Sequence, residues 1–265
     1  MPRARYETVA GDLREQINNG ALAPGTKLPG EREIMEQYRV SVTVARAAIA
    51  QLRHEGLVFS QQGKGTFVRG PRQRVRRTPE RYQWEKDRTL TAEEERIRTG
   101  AVEQDTGLKF EDLDFHAEHR TESASNDLAE AFDIPVGTLL LRRTYRTRLR
   151  TEDSPLSLIQ SYLVYDMIKG NPDLLTADNE PWPGGTTHQL STVGIEIDRI
   201  IDDITARPPT HEEAEVLGLD PGTSVIMLRK TSIDTSDRVV EVSDVALPGD
   251  RTVLSYTTQL ARWRT

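Results

Sequence analysis

The sequence has no cysteine among its 265 residues, which excludes disulfides, zinc ribbons and thiol catalysis. Aromatic residues make up 6% of the chain. No apolar run approaches the roughly 20 residues that a membrane-spanning helix needs. The first residues also lack the apolar core of a signal peptide. These absences predict a cytoplasmic protein without a membrane partner, and the length allows two domains with their own cores.

Residues 26–69 are the most informative part of the chain. A Pro-Gly pair precedes a helix predicted over about 31–37, and residues 38–40 are long enough only for a sharp turn. Ser41 is placed to cap a second helix, because its hydroxyl can accept a hydrogen bond from a free backbone N–H. The second helix carries apolar residues at helical spacing, which are expected to face the core: Ala45, Ala48, Ile49 and Leu52.

A glycine-containing hairpin is predicted after the second helix. Gly56 ends the helix, and two short apolar strands at 57–59 and 66–68 bracket residues 61–65. The glycines of this turn allow close approach to a DNA backbone, and Lys64 adds a positive charge. A phosphate-binding P-loop is excluded, because Val58 stands where that motif needs its first glycine. The pattern predicts a winged helix-turn-helix.

Charge is unevenly distributed along the chain. Residues 1–77 hold 14 Lys and Arg against 7 Asp and Glu, whereas the remaining residues hold 21 against 35. The formal charges are therefore +7 and −14, within a total of −7. A basic head on an acidic body is typical of a DNA-binding module joined to a controlling domain.

The segment from Tyr6 to Val68 resembles the GntR superfamily of bacterial transcription regulators. The matching motifs are Gly20-x-Leu22-x-Pro24-Gly25-x-x-Leu28-Pro29-x-Glu31-Arg32, Val40-Ser41, Glu55-Gly56-Leu57 and Gly63-x-Gly65-Thr66-Phe67-Val68. The resemblance implies that Arg32, Thr43, Arg46 and Gly63 contact DNA. One position departs from the family, because Val42 stands where arginine is usual; contact with a thymine methyl can replace a guanine contact there. The full set of predicted DNA-binding residues is Arg32, Ser41, Val42, Thr43, Arg46, Gly63, Lys64, Gly65 and Thr66.

The rest of the chain predicts a linker and a second domain. Residues 71–99 are rich in proline and charge, which is typical of a linker, with some helix expected near 92–97. Strands are predicted at 139–148, 156–164, 224–233 and 238–247. A short helix and a Gly-Thr turn precede each strand pair, so the domain contains an internal repeat. The predicted domains are 1–70, 71–99 (linker) and 100–265.

Residues from about 100 to 260 resemble the effector domain of the HutC branch of the GntR regulators, the UTRA domain. The resemblance is carried by the two Gly-Thr turns, Gln160-Ser161-Tyr162-Leu163, Val240-Glu241-Val242-Ser243 and Gly249-Asp250-Arg251. It implies a chorismate-lyase-like α/β fold, and so an α+β protein overall. It also implies that a small metabolite binds between the halves and alters the spacing of two DNA-binding heads in a homodimer.

Effector-binding residues follow from the same resemblance. Relatives that sense sugar phosphates hold the phosphate with two arginines at alternate positions of the first strand, and these positions correspond here to Tyr145 and Thr147. Arg146 and Arg148 each lie one residue away, so either a bulge restores the arginines or the phosphate site is absent; the offset of one residue favours absence. Glu241 matches an acidic position that binds ligand hydroxyls, or else it only pairs with a nearby arginine. Tyr162 is expected on a facing strand.

Other combinations of residues give no catalytic or metal site. His116 and His119 lack further metal-ligand spacing and are predicted to be exposed. Asp202 and Asp203 are adjacent on a strand and should point to opposite faces. No nucleophile, base and oxyanion site come together, and no cofactor is expected. The sequence therefore predicts a non-enzymatic repressor that is a homodimer, binds double-stranded operator DNA and responds to a small effector. The alternatives are a repressor without an effector and a DNA-targeted enzyme domain.

Overall fold

The computed structural model describes residues 4–61, 63–70 and 72–262. Gln62 of the predicted wing turn and Pro71 of the predicted linker lie outside these residues. The chain divides into an N-terminal unit, residues 1–73 with 208–210 and 219–224, and a C-terminal unit that contains the rest.

The helices and strands alternate irregularly along the chain, as expected of an α+β protein. The helices are α1 (Arg5–Asn18), α2 (Glu31–Tyr38), α3 (Val42–His54), α4 (Glu80–Arg88), α5 (Glu93–Arg98), α6 (Ala101–Thr106), α7 (Asn126–Phe132), α8 (Tyr165–Ile168), α9 (Gly185–Ser191) and α10 (His211–Val216). The strands are β1 (Val58–Gln61), β2 (Gly65–Val68), β3 (Val75–Arg77), β4 (Leu113–Ser123), β5 (Leu139–Leu149), β6 (Pro155–Val164), β7 (Ile197–Arg207), β8 (Val225–Asp234), β9 (Val239–Pro248) and β10 (Thr252–Leu254).

The N-terminal unit is a three-helix bundle followed by a two-stranded wing. Helices α1, α2 and α3 pack around one apolar core, and β1 pairs with β2 in antiparallel register. The residues predicted for the inner face of α3 are all buried, because they recur at helical spacing toward that core. The core comprises Val9, Ala10, Leu13, Leu28, Ile34, Ala45, Ala48, Ile49, Leu52, Val58 and Val68.

Local signals set the bounds of α2 and α3. Arg39 adopts a left-handed conformation with φ 51°, which stops α2 and turns the chain into α3. The Ser41 side chain accepts a hydrogen bond from the Val44 N–H at 3.4 Å, as predicted for the cap. Gly56 has φ +71°, the left-handed conformation expected after the last turn of α3.

The C-terminal unit is built on a six-stranded sheet in the order β4-β5-β6-β9-β8-β7, antiparallel throughout. The predicted internal repeat is visible in the topology: β4-α7-β5-β6 forms one half and β7-α10-β8-β9 the other. Strands β6 and β9 meet at the centre. Sequence reading found the four inner strands but not β4 and β7, because these edge strands carry many polar residues and lack a clear apolar pattern.

The two faces of the sheet carry different layers. Leu141 and Leu163 pack with Leu190 of α9, so we call this side the α9 face. Leu140 and Tyr162 pack instead with residues of α7, and this side is the α7 face. Consecutive residues such as Leu140 and Leu141 point to opposite faces because side chains alternate along a strand.

The predicted linker contains regular structure. Residues 71–99 include β3, α4 and α5, and β3 pairs in parallel with β10. Arg81 of α4 is largely buried and forms ion pairs with Asp105 and, at 3.0 Å, with Glu85. These paired charges explain why a segment of such polar composition is ordered against the C-terminal unit. The boundaries 1–70, 71–99 and 100–265 stay predictions.

Candidate functional site

The start of α3 presents the predicted DNA-reading residues to solvent. Val42, Thr43 and Arg46 are exposed, and Ser41 caps the helix just before them. Val42 is 37% exposed, which is unusual for an apolar residue on a helix whose other face is fully buried. A helix N-terminus with small side chains and one arginine fits the geometry by which recognition helices meet base edges.

The two arginines of this surface have acidic neighbours in the unbound protein. Arg46 Nε lies 2.8 Å from Glu31 Oε2, and Arg32 Nε lies 3.0 Å from Glu36 Oε1. Their side chains are 67% and 90% exposed, so these ion pairs contribute little to stability. Both arginines can therefore exchange a carboxylate for a phosphate or a base edge at small cost.

The wing turn presents backbone and one cation. Gly63 and Gly65 adopt φ of +73° and +121°, which residues with a side chain rarely do. A Cβ at Gly65 would also lie 2.7 Å from Lys27 Cε, so the flexible Lys27 side chain would have to move, and the positive φ remains the main reason for glycine here. Lys64 is exposed, while Thr66 Oγ1 lies 3.2 Å from Ser60 Oγ across the hairpin. The turn brings the predicted wing residues together.

A buried ionic cluster lies on the α9 face of the C-terminal unit. Glu241 and Arg143 are each 1% exposed, and Arg143 Nη2 lies 3.1 Å from Glu241 Oε1. Lys230 Nζ lies 2.8 Å from Glu241 Oε2. Burial alone would raise the pKa of Glu241, but Lys230 and Arg143 outweigh burial and lower the pKa to about 2. The carboxylate is therefore ionised at neutral pH.

The hydroxyls of three serines complete the environment of Glu241. Ser161 and Ser243 donate to Oε1 at 2.7 and 3.1 Å, and Ser232 donates to Oε2 at 3.1 Å. Ser161 lies on β6, Ser243 on β9 and Ser232 on β8, which are adjacent strands of the sheet. The glutamate thus pairs with an arginine, as one of the two sequence interpretations expected, and also with a lysine.

Arg143, Lys230 and Glu180 belong to this layer although the sequence did not predict them, and Arg143 makes the most contacts of the three. It donates to Gln189 Oε1 of α9 at 2.6 Å and to Ser161 Oγ at 2.6 Å. The signal was present, because Arg143 lies two residues before Tyr145 and therefore shares its face. The predicted alternate positions, Tyr145 and Thr147, begin two residues after it.

The other predicted effector residues divide between the two faces. Tyr145 and Thr147 lie on the α9 face with Arg143, and Thr147 is buried. Arg146 and Tyr162 lie on the α7 face, so these two predicted effector residues do not share a face with Glu241, Tyr145 and Thr147. The register of β5 and β6 shifts only between Thr147 and Arg148, beyond the point at which a bulge would turn Arg146 inward.

A second carboxylate on the α9 face, that of Glu180, contacts the Tyr145 hydroxyl. Glu180 Oε1 accepts from Tyr145 Oη at 2.8 Å and from Gln189 Nε2 at 2.9 Å. Burial opposes its ionisation, but His119, Arg143, the Trp182 backbone N–H and the Tyr145 hydroxyl lower the pKa of Glu180 to about 2. The prediction that His119 is exposed was wrong: its side chain is 3% exposed, because it points under the loop that carries Glu180.

Two clefts flank the sheet. One, of about 350 Å³, is lined by residues that include Trp182, Pro183 and His188. The other, of about 440 Å³, lies on the α7 face. Arg229 in the second cleft is already paired with Asp244 at 2.7 Å and Asp127 at 2.8 Å. That arginine therefore adds no free cation for an anionic ligand.

Two other features can be placed in the described part of the chain. Asp202, predicted to point away from Asp203, accepts a hydrogen bond from Tyr82 Oη at 2.8 Å. Residues 4–61, 63–70 and 72–262 contain no group of three potential metal ligands and no helix that is long and apolar enough to cross a membrane.

Comparison with known proteins decides the family. The profile of the family described as "Bacterial regulatory proteins, gntR family" matches residues 5–68, and that of the UTRA domain matches residues 116–252, about half of the chain.

The chain is a GntR-family regulator with a UTRA domain.

The relatives of this GntR-family chain are transcription regulators. An uncharacterized HTH-type regulator of Streptomyces coelicolor is 29% identical over 96% of this chain and 93% of its own length. The HTH-type transcriptional repressor NagR of Bacillus subtilis is 25% identical over 97% of this chain and 96% of its own length. The order of domains is HutC-like, as predicted. The prediction that the chain is not an enzyme is confirmed by these comparisons.

Solved structures agree with this assignment. A crystal structure of a GntR-family transcriptional regulator covers 98% of this chain and 99% of its own, with a TM-score of 0.61 and 27% identity. PhnF from Mycobacterium smegmatis shares the fold, with a TM-score of 0.54 and 22% identity, and covers 96% of this chain and all of its own.

Proposed function

We propose that this GntR-family regulator is a repressor whose homodimer binds a palindromic operator and is released or retained by a small-molecule effector. The single observation that carries the DNA-binding part is the exposed start of α3, with Val42, Thr43 and Arg46 facing solvent above a fully buried inner face. Two such heads would place these residues in successive major grooves, with each wing over a flanking minor groove. The proposal places the protein in the cytoplasm, and at the nucleoid when the protein is bound to DNA.

The repressor and effector parts of the proposal have separate support. NagR is named as a repressor and aligns with nearly the whole chain. The α9 face of the UTRA domain carries Glu241, Tyr145 and Thr147 in one buried polar layer, and we assign the effector to this layer. Dimerisation is inferred from the resemblance to GntR regulators, and a dimer would present two recognition helices to the two halves of a palindrome.

The proposal is tested with the DNA upstream of the protein's own gene. Binding is measured by fluorescence anisotropy against a scrambled sequence of equal length at one fixed salt concentration. Selective binding with two protomers per operator supports the proposal. Equal binding to both sequences means that the head recognises phosphates alone, and binding by a single protomer contradicts the dimer.

Replacing Arg46 with alanine should weaken operator binding by about 1–3 kcal/mol, or roughly 5- to 150-fold, if the guanidinium reads a base. The loss should be confined to the operator, with little change for scrambled DNA. Arg14→Ala is the matched control, because Arg14 lies on α1 and pairs with Glu55 at 2.5 Å. Equal operator affinity of Arg46→Ala and the wild type would remove Arg46 from the interface.

Replacing Lys64 with alanine should weaken binding to operator and scrambled DNA alike. The slope of log affinity against log salt should fall by about 1, because one phosphate contact is lost. Lys169→Ala serves as the control, since Lys169 is 57% exposed on the C-terminal unit. An unchanged slope for Lys64→Ala would show that the wing lysine does not touch a phosphate.

A further inference from the structure

Glu241 occupies the centre of a complete anion-binding arrangement. Its two oxygens receive five donors: the cations Arg143 and Lys230 and the hydroxyls of three serines, at 2.7 to 3.1 Å. Cations and hydroxyls converging on one buried point are the usual means by which proteins hold a carboxylate or a phosphate. Here the chain's own carboxylate fills that position.

The charges of this layer are already balanced. Arg143 and Lys230 carry two positive charges, and Glu241 and Glu180 carry two negative charges. A buried phosphate would add a charge of about −1.5 to −2, whereas Arg143 and Lys230 are already paired with Glu241. Such a ligand would have to displace Glu241 from both of its cations.

Several polar atoms of the layer nevertheless have no hydrogen-bond partner among the described residues. They are Nδ1 and Nε2 of His119 and Nε of Arg143, and all are buried. His119 Nε2 lies 3.7 Å from Glu180 Oε1, beyond hydrogen-bond distance. His119 and Arg143 are direct partners in the pairing of β4 with β5, so these atoms belong to one place on the α9 face. Hydroxyl or amide groups can satisfy them without adding charge.

We infer that Glu241 is an internal counter-ion that occupies the anion position of the effector site, so that the site takes an uncharged, hydroxyl- or amide-bearing effector. This inference rests on the proposed function, because it names the class of effector for the same UTRA layer. It assigns Arg143 and Lys230 to holding Glu241 in place. Neither cation binds the phosphate or carboxylate of a ligand.

The test uses the full chain, with acetate, inorganic phosphate and glucose 6-phosphate as probes and the melting temperature as the readout. Glu241→Ala removes the atoms of one acetate ion and leaves both cations unpaired. We expect this variant to melt well below the wild type and to regain at least half of the lost melting temperature in millimolar acetate, by mass action. Glu215→Ala, which removes a glutamate that is 69% exposed, should show no response to acetate.

The wild type provides the second part of the test. Its melting temperature should not respond to phosphate or glucose 6-phosphate beyond a chloride control of equal ionic strength. A saturable rise in the wild type that is lost in Arg143→Met overturns the inference, and so does the absence of acetate rescue in a folded Glu241→Ala. If Glu241→Ala does not fold, Glu241→Ser takes its place, because serine also vacates the carboxylate position. Acetate should raise its melting temperature, and a folded Glu241→Ser that does not respond to acetate overturns the inference.

The two proposals can fail independently. Loss of selective operator binding by the wild type counts against the repressor function, whereas the anion titrations do not depend on DNA. A wild type that binds operator and also binds glucose 6-phosphate through Arg143 would keep the function and refute the uncharged effector.

Discussion

Replacing Arg143 with methionine is expected to lower the free energy of unfolding of the C-terminal unit by about 3–5 kcal/mol. Arg143 is 1% exposed and donates four hydrogen bonds, to Gln189, Ser161, Thr186 and Glu241 at 2.6 to 3.1 Å. Methionine fills a similar volume but donates none. The acceptors, including one buried carboxylate oxygen, lose a strong donor, and leaving such groups unpaired is costly.

The neighbouring arginine provides the control for this prediction. Arg142→Met makes the same chemical change one residue earlier, where the side chain is 35% exposed on the α7 face and lies 3.4 Å from Glu122. Its expected cost is at most about 1 kcal/mol. Calorimetry of both variants measures the difference. If Arg143→Met were no less stable than Arg142→Met, water would have to replace the Arg143 guanidinium in the α9 layer. The double variant Arg143→Met/Glu241→Gln should cost less than the sum of the single variants, because the two residues interact directly.

The second large effect is expected in the N-terminal unit. Leu52 of α3 is fully buried in the core shared by the three helices, so Leu52→Ala should cost about 2–5 kcal/mol through the lost apolar contact and the cavity that remains. A unit of this size has little stability to spare, and helix α3 is also the proposed recognition helix. Operator binding should therefore be lost at a lower temperature than in the wild type.

Leu90→Ala is the matched control, because Leu90 is 92% exposed and its removal leaves no cavity. Circular dichroism at increasing temperature reports unfolding, and anisotropy at the same temperatures reports DNA binding. Leu52→Ala should keep the melting transition of the C-terminal unit, since the two units have separate cores. A single transition shifted for the whole chain would show instead that the units unfold together.

The sequence predicted the N-terminal unit in detail. The Pro-Gly break, the Ser41 cap, the inner face of α3 and the left-handed Gly56 were all found where their residues placed them. Each of these features depends on neighbours within about four residues along the chain, and such local preferences are encoded directly in residue type. The four inner strands of the C-terminal sheet were predicted for the same reason, because their apolar residues follow a local pattern.

The edge strands and the segment before them required the tertiary structure. Strand β4 and strand β7 are polar along much of their length, so hydrogen bonding to their neighbours defines them better than composition does. The residues predicted as a linker form β3, α4 and α5, and the ion pair of Arg81 with Asp105 joins this segment to a residue 24 positions further along the chain. Charge-rich composition alone could not distinguish a solvated linker from a segment with paired charges.

By itself, then, the sequence determined the DNA-binding head, the existence of a second domain with two related halves, and the GntR and UTRA resemblance that the comparisons confirmed. Only the tertiary structure decided which side chains share the buried layer of the C-terminal unit. Arg143, Lys230 and Glu241 come from three strands, His119 comes from a fourth, and Glu180 comes from a segment between strands. Strand register sets which residues face each other, and a shift of one residue exchanges the two faces; local patterns do not fix it to that precision.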